Sequence, residues 1–186
     1  MEQARETLKD KWGMAVGVTF IYAIITIVVG SPDDIGPGLQ ILIEGPLMVG
    51  MALFFLSLNR KHEIAVSQLF AGFNDYIRSL AAYVIMTVFI LLWSLLLIVP
   101  GVIAALAYSQ TFFILADDKS IGARDAIRKS KAMMEGHKKK LFYLICRFLG
   151  WFLLGVLSLG IGFLWILPYM YVTMAKFYEE VSAPKQ

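Results

Sequence analysis

Of 186 residues, 59% are hydrophobic and the mean hydropathy is +0.70, whereas soluble domains hold about 45–50% apolar residues even with glycine counted. The 17 Lys and Arg and 14 Asp and Glu leave a net charge of only +3, but they stand in blocks between uncharged runs of roughly 16 to 20 residues, close to the length that crosses a hydrocarbon core as helix. That segregation excludes a water-soluble core, and the lone Cys146 excludes an intrachain disulfide or a CxxC metal pair.

Residues 2–11 pair Ala4 and Leu8 with Arg5, Glu6, Lys9 and Asp10, the pattern of a short interfacial helix with Trp12 at headgroup level. No small-residue cleavage pattern follows, so a signal peptide is not expected. The first predicted span is 13–29, in which Gly13 and Gly17 form a GxxxG suited to ordinary helix packing. Gly30–Gly38 is dense in turn formers, lacks Lys and Arg, and reads as an outer loop. The second predicted span, 39–58, contains Glu44, Gly45 and Pro46 and ends at Arg60, Lys61 and His62, a basic end that belongs inside.

Ile64–Arg78 has apolar residues largely at helical spacing and predicts an amphipathic helix on the inner surface. Leu80–Ala116 is uncharged; as one helix it would run about 55 Å, nearly twice a bilayer core. It predicts spans 79–98 and 101–116, broken at Pro100–Gly101. Tyr108, Ser109, Gln110 and Thr111 lie in the inner half of the second, either bonding between helices or lining a cavity.

Asp117–Lys140 carries eight of the 17 basic residues. Within it, Ile121, Ala123, Ala126, Ile127, Ser130 and Met134 recur at three and four, while Arg124, Arg128, Lys129 and Lys131 occupy other sides. This predicts a basic amphipathic helix at an anionic lipid surface, with Lys138, Lys139 and Lys140 adding to the charge. Orientation of the chain accounts for much of the same charge. Asp117 and Asp118 are expected to cap or pair rather than bind a cation, since two acids fall short of a hard ion's ligand number. Spans 141–158 and 161–177 follow, turning at Leu159–Gly162.

All Lys and Arg except Arg147 then fall in inner segments or at inner span ends, and both termini are cytoplasmic. The expected fold is all-α: a polytopic membrane protein of six transmembrane helices in three hairpins, with amphipathic cytoplasmic surface helices. A surface helix leads into a hairpin three times, near residues 2, 64 and 119, as an architectural rhythm without residue identity.

No nucleotide-binding or hydrolase motif occurs, and His62 and His137 lack ligand or acid partners at the needed spacing, so no catalytic, cofactor or metal site is expected. Cys146 reads as a buried packing residue. Glu44 lies within a span but about 8 Å from the outer loop, where it can stay wet; Arg147 is close enough to the inner boundary to snorkel. Glu44, Tyr108, Gln110 and Arg147 are the intramembrane polar candidates. Nucleic acid is not an expected partner, because the basic segment is tethered beside lipid and has no reading module. The expected partners are the bilayer, anionic phospholipids, and a second copy or another membrane protein.

ARETLKDKWG near the N-terminus, LFAGF at Leu69–Phe73, LLLIVPGVIAALAYSQTFFILADD at Leu95–Asp118, SKAMMEGHKKKLF at Ser130–Phe142 and GIGFLWILPYMYVTMAKFYEE at Gly160–Glu180 resemble a family of bacterial integral membrane proteins catalogued as domain of unknown function 975. More distantly, the chain is similar to the membrane domain attached to some glycerophosphodiester phosphodiesterases. The resemblance implies a multi-span protein of the bacterial inner (plasma) membrane and supplies no catalytic residues. The function expected is a non-catalytic basic face that contacts anionic lipid or a membrane partner; the alternative is a small oligomeric transporter or channel.

Overall fold

A helix with two glycines and a proline in its middle is an unpromising core, yet α2 (Gly36–Asn59) is the element around which the others pack. From Glu44 to Leu58 almost every residue is buried. In the computed structural model, which describes residues 6–9, 11–30, 36–158 and 160–183, the remaining elements are α1 (Trp12–Val29), a 3-10 helix (Val66–Phe73), α3 (Tyr76–Leu96), α4 (Ile98–Tyr108), α5 (Thr111–Asp117), α6 (Ala123–Met133), α7 (Lys138–Leu157) and α8 (Phe163–Ser182). All regular structure among the described residues is helical.

Glycine explains how α2 is enclosed. A Cβ on Gly50 would lie 1.8 Å from the Leu69 carbonyl oxygen, one on Gly72 2.0 Å from that of Pro46, and one on Gly45 2.6 Å from that of Ser79. Backbones therefore touch, and in lipid such close approach, rather than water exclusion, is what holds helices together. Phe55 stacks on Tyr171 of α8 at 5.2 Å between centroids, and Phe113 of α5 stacks on Tyr178 at 5.7 Å. The GxxxG of α1 takes no part: nothing lies within 4 Å of a Cβ on Gly13 or Gly17.

Two segments differ from their sequence reading. The predicted surface helix over 64–78 is instead a 3-10 helix whose Leu69 and Gly72 lie on Gly50 and Pro46. Those α2 residues precede Asn59 by roughly 14 and 20 Å of helix, so this segment lies along the middle of α2. The long uncharged run also breaks earlier than Pro100–Gly101: Leu97 alone is extended, at φ −161° and ψ 143°, and Pro100 falls in the first turn of α4. Proline is tolerated there because first-turn N–H groups have no intrahelical acceptor. Gly101 still matters at this bend, since its Cβ would meet Ser94 Cα at 2.8 Å.

Five helices among the described residues are long and apolar enough to cross a membrane: Trp12–Val29, Gly36–Asn59, Tyr76–Leu96, the α4–α5 unit Ile98–Asp117, and Lys138–Leu157. The sixth predicted span falls in α8, which carries Lys176, Glu179 and Glu180 in its second half and is outside that set. Of the most apolar stretch of α2, 72% is buried, against 17% in each of α1, α3 and α7. On α7 the buried residues are Leu141, Phe148 and Gly155, spaced by seven. Cys146, expected to pack inside, is exposed on the same helix. Large apolar side chains such as Leu95, Ile98, Leu149 and Leu157 are more than two-thirds exposed, a surface suited to lipid rather than water. Asp33 and Asp34 of the expected outer loop, residues 2–5 and 10 of the interfacial helix expected over 2–11, and Leu159 of the last predicted turn lie outside the described residues.

Candidate functional site

The basic face is built on α6. Gly122 opens the helix, Asp125 stands in its first turn and Lys131 in its last, each sign placed to complement the helix dipole. Ala126, Ile127 and Ser130 are buried, so the apolar side that the sequence assigns to lipid is used against protein. Ser130 is the pin: its hydroxyl donates to the Ala107 carbonyl at 2.8 Å and accepts from the Gln110 N–H at 3.2 Å. Both backbone groups lie at the α4–α5 break, where the helical ladder is interrupted. The side chain thus satisfies backbone groups that would otherwise be costly to bury.

With α6 fixed in rotation, Arg124, Arg128, Lys129 and Lys131 all project outward and are exposed. Among them only Arg128 makes an ion pair within the described residues, with Asp125 at 3.5 Å; both partners are largely exposed, and such pairs are worth little. Gly136, at φ +83°, makes the turn into α7, a conformation glycine adopts without steric cost. Lys138, Lys139 and Lys140 then form the first turn of α7, which has no acidic residue. Cations at a helix N-terminus oppose its dipole by about 0.3–1 kcal/mol each. Lys140 is paired with Glu180 of α8; Lys138 and Lys139 have no ion pair among the described residues.

The four intramembrane candidates fall in three places. Glu44 is 6% exposed, so the wet-boundary reading fails for the described chain. It accepts a hydrogen bond from the Tyr22 hydroxyl of α1, while its Oε2 is buried without a partner among the described residues. Tyr83 of α3 and Tyr171 of α8 lie within electrostatic range of the same carboxyl. Tyr108 and Gln110 belong to the α4–α5 break instead: Tyr108 packs on Phe89 at 6.3 Å between centroids, and Gln110 Nε2 donates to Ser109 Oγ at 3.0 Å. Arg147 is exposed on α7. No continuous polar path joins these positions among the described contacts.

Sequence reasoning missed two polar clamps. Arg60, inside the turn that the His62 N–H closes on the Ser57 carbonyl at 2.9 Å, donates to Asp117 at 2.5 Å and Glu179 at 3.1 Å. The Tyr178 hydroxyl also reaches Asp117, at 3.0 Å, so α2, α5 and α8 are tied at one end. Asp117 therefore pairs, but with Arg60 rather than with the basic segment. Arg78 donates to the carbonyls of Leu115, Asp118 and Ile121 at 3.0–3.3 Å and to Asp75 at 3.2 Å. Asp118 takes hydrogen bonds from the Ser120 hydroxyl at 2.6 Å and N–H at 2.9 Å, which hold its carboxyl below the usual range. Separations of 57 and 119 residues hid the Arg60 partners; nothing local in the sequence marks them.

A family model described as protein of unknown function, DUF975, matches residues 1–106 and 95–185. The chain belongs to the DUF975 family. No curated protein and no solved structure matches it. Among the described residues of this DUF975 chain, no group of three His, Cys, Asp or Glu is placed to hold a metal ion.

Proposed function

We propose that this DUF975 protein is a non-catalytic, multi-span protein of a bacterial cell membrane whose basic cytoplasmic face holds anionic phospholipid headgroups. In this reading α1, α2, α3, α4–α5, α7 and α8 are the six spans and both termini are cytoplasmic. The observation that carries it is the fixed outward face of α6: its apolar side is locked to the α4–α5 break, and Arg124, Lys129 and Lys131 are exposed without an ion pair among the described residues. Each such base near an anionic surface contributes about 1 kcal/mol.

The test is the thermal midpoint of the full chain reconstituted in anionic or zwitterionic bilayers. Anionic lipid should raise it, the gain should fall in 1 M salt as screening shortens, and it should shrink in the combined R124Q, R128Q, K129Q, K131Q variant. Equal midpoints in both bilayers would sink the reading.

Glu44 favours a second reading, a small transporter that moves protons or cations past a buried carboxylate, because one of its oxygens has no partner among the described residues. Flux in proteoliposomes that disappears in Glu44→Gln would establish it. No flux in the wild type leaves the lipid-contact reading in place.

A further inference from the structure

α4 packs near the start of α7. Leu106 and Leu141 meet there in a cluster with Met134 and Phe177, one turn of α7 from Lys138 and Lys139. Beside that cluster, α4 from Ile98 to Leu106 and the first two turns of α7 border a cleft of about 480 Å³. Its walls are Ile98, Val102 and Ile103 on one side and Phe142 and Tyr143 on the other. Val102, Ile103 and Phe142 are each a little under half exposed, so the cleft is open to the side. Lys138 and Lys139 also line it.

An apolar channel with two cations that make no ion pair among the described residues calls for a ligand that is apolar along its length and anionic at one end. The same pairing recurs across α4, where a second groove of about 390 Å³ between α3 and α6 is lined by Val84, Val88 and Phe89 and by Arg124. We infer that the α4–α7 cleft binds one anionic glycerophospholipid, its headgroup phosphate on Lys138 and Lys139 and an acyl chain along Ile98, Val102 and Phe142.

This inference rests on the anionic-lipid reading of the basic face but differs from it in kind. Contact with a charged surface is graded and indifferent to chain length. Occupancy of the cleft is saturable, holds one lipid, and depends on the chain. Charge pairing alone would leave the apolar walls without a role; the walls alone would not select a negative headgroup.

The experiment is native mass spectrometry of the full chain in detergent, titrated with phosphatidylglycerol carrying sixteen- or six-carbon chains, and with phosphatidylcholine as the zwitterionic probe. One long-chain phosphatidylglycerol should bind at least about tenfold more tightly than either comparison lipid, a difference of about 1.4 kcal/mol. K138Q with K139Q should abolish the headgroup preference. Ile103→Trp, which fills the cleft from a half-exposed position, should abolish the chain-length preference, whereas Leu149→Trp, on the exposed side of α7, should leave both intact.

A diazirine placed on the acyl chain gives an independent readout in the unaltered protein, with crosslinks expected on peptides containing Val102 and Phe142. Equal binding of long and short chains, or crosslinks spread evenly over α7, would overturn the cleft while leaving the surface reading standing. Loss of any anionic preference in the wild type would remove both.

Discussion

Two regions of this molecule cover their side chains to opposite extents. Around the middle of α2, the 3-10 helix and the start of α3 approach so closely that three glycines are required by backbone contact, and Arg60 and Arg78 tie α5 and α8 to this assembly through carboxylates and carbonyls. Toward the Leu95–Val99 bend and along α7, most large apolar side chains are exposed. The first region is held by its own chain. The second is completed by whatever surrounds it, which in the bilayer reading is lipid.

Gly50→Ala is the sharpest way to break the contrast. The added methyl would collide with the Leu69 carbonyl at 1.8 Å. Because the obstacle is backbone, relief requires moving the whole 3-10 segment, at a cost at or above the roughly 1–3 kcal/mol of ordinary overpacking. Loss of monodisperse folded protein in size-exclusion chromatography is expected for Gly50→Ala. Gly17→Ala, with nothing within 4 Å, should behave as wild type. Equal behaviour of the two would mean that α2 is not the packed core.

How much of this was legible beforehand follows from which interactions are local. Helical spans are local: apolar runs and turn formers mark them, so 13–29 anticipates Trp12–Val29 and 141–158 anticipates Lys138–Leu157. The amphipathic pattern of α6 was equally visible, but not what its apolar side would meet. Periodicity reports a face and never its neighbour. Glu44 was visible as a carboxylate in a span; its burial was not, because that depends on Tyr22, Tyr83 and Tyr171 arriving from three other helices. Cys146 misled for the same reason. Its type favours the interior, but on α7 the buried positions are Leu141, Phe148 and Gly155, and Cys146 is exposed.

Two arginines give the next comparison. Arg78, whose side chain is 14% exposed, satisfies carbonyls of Leu115, Asp118 and Ile121 that begin the path into α6. Arg78→Ala removes three charge-assisted bonds to carbonyls and a fourth to Asp75 and leaves partly buried acceptors unpaired, an expected loss of about 2–4 kcal/mol by equilibrium unfolding in mixed micelles. Arg147→Gln on the exposed face of α7 is expected to change stability by less than about 0.5 kcal/mol. A large loss at Arg147 would give the open region a hidden partner.

Ser130→Ala tests the join between the regions. One hydroxyl serves the Ala107 carbonyl and the Gln110 N–H, so its removal strands two buried backbone groups. A loss of about 1–3 kcal/mol is expected. Hydrogen exchange should rise at Gln110 and Thr111 before it rises in α2. Uniform acceleration through α2 would show instead that the α4–α5 break and the core unfold as one unit.

The smallest effect is expected where the sequence looks most hydrophobic. Leu95 is 87% exposed at the end of α3, so Leu95→Ala deletes apolar surface that no protein atom covers. In a bilayer, lipid surrounds that site in the folded state and in a dissociated helix alike, and the driving force that makes Leu→Ala costly in a water-soluble core is absent. A buried leucine would cost about 2–5 kcal/mol; here the expected change is below about 0.5 kcal/mol, read from unfolding of the reconstituted protein. A loss of core size would mean that Leu95 is covered, and a second chain seated on the bend would then account for the exposed run from Leu95 to Val99 better than lipid does.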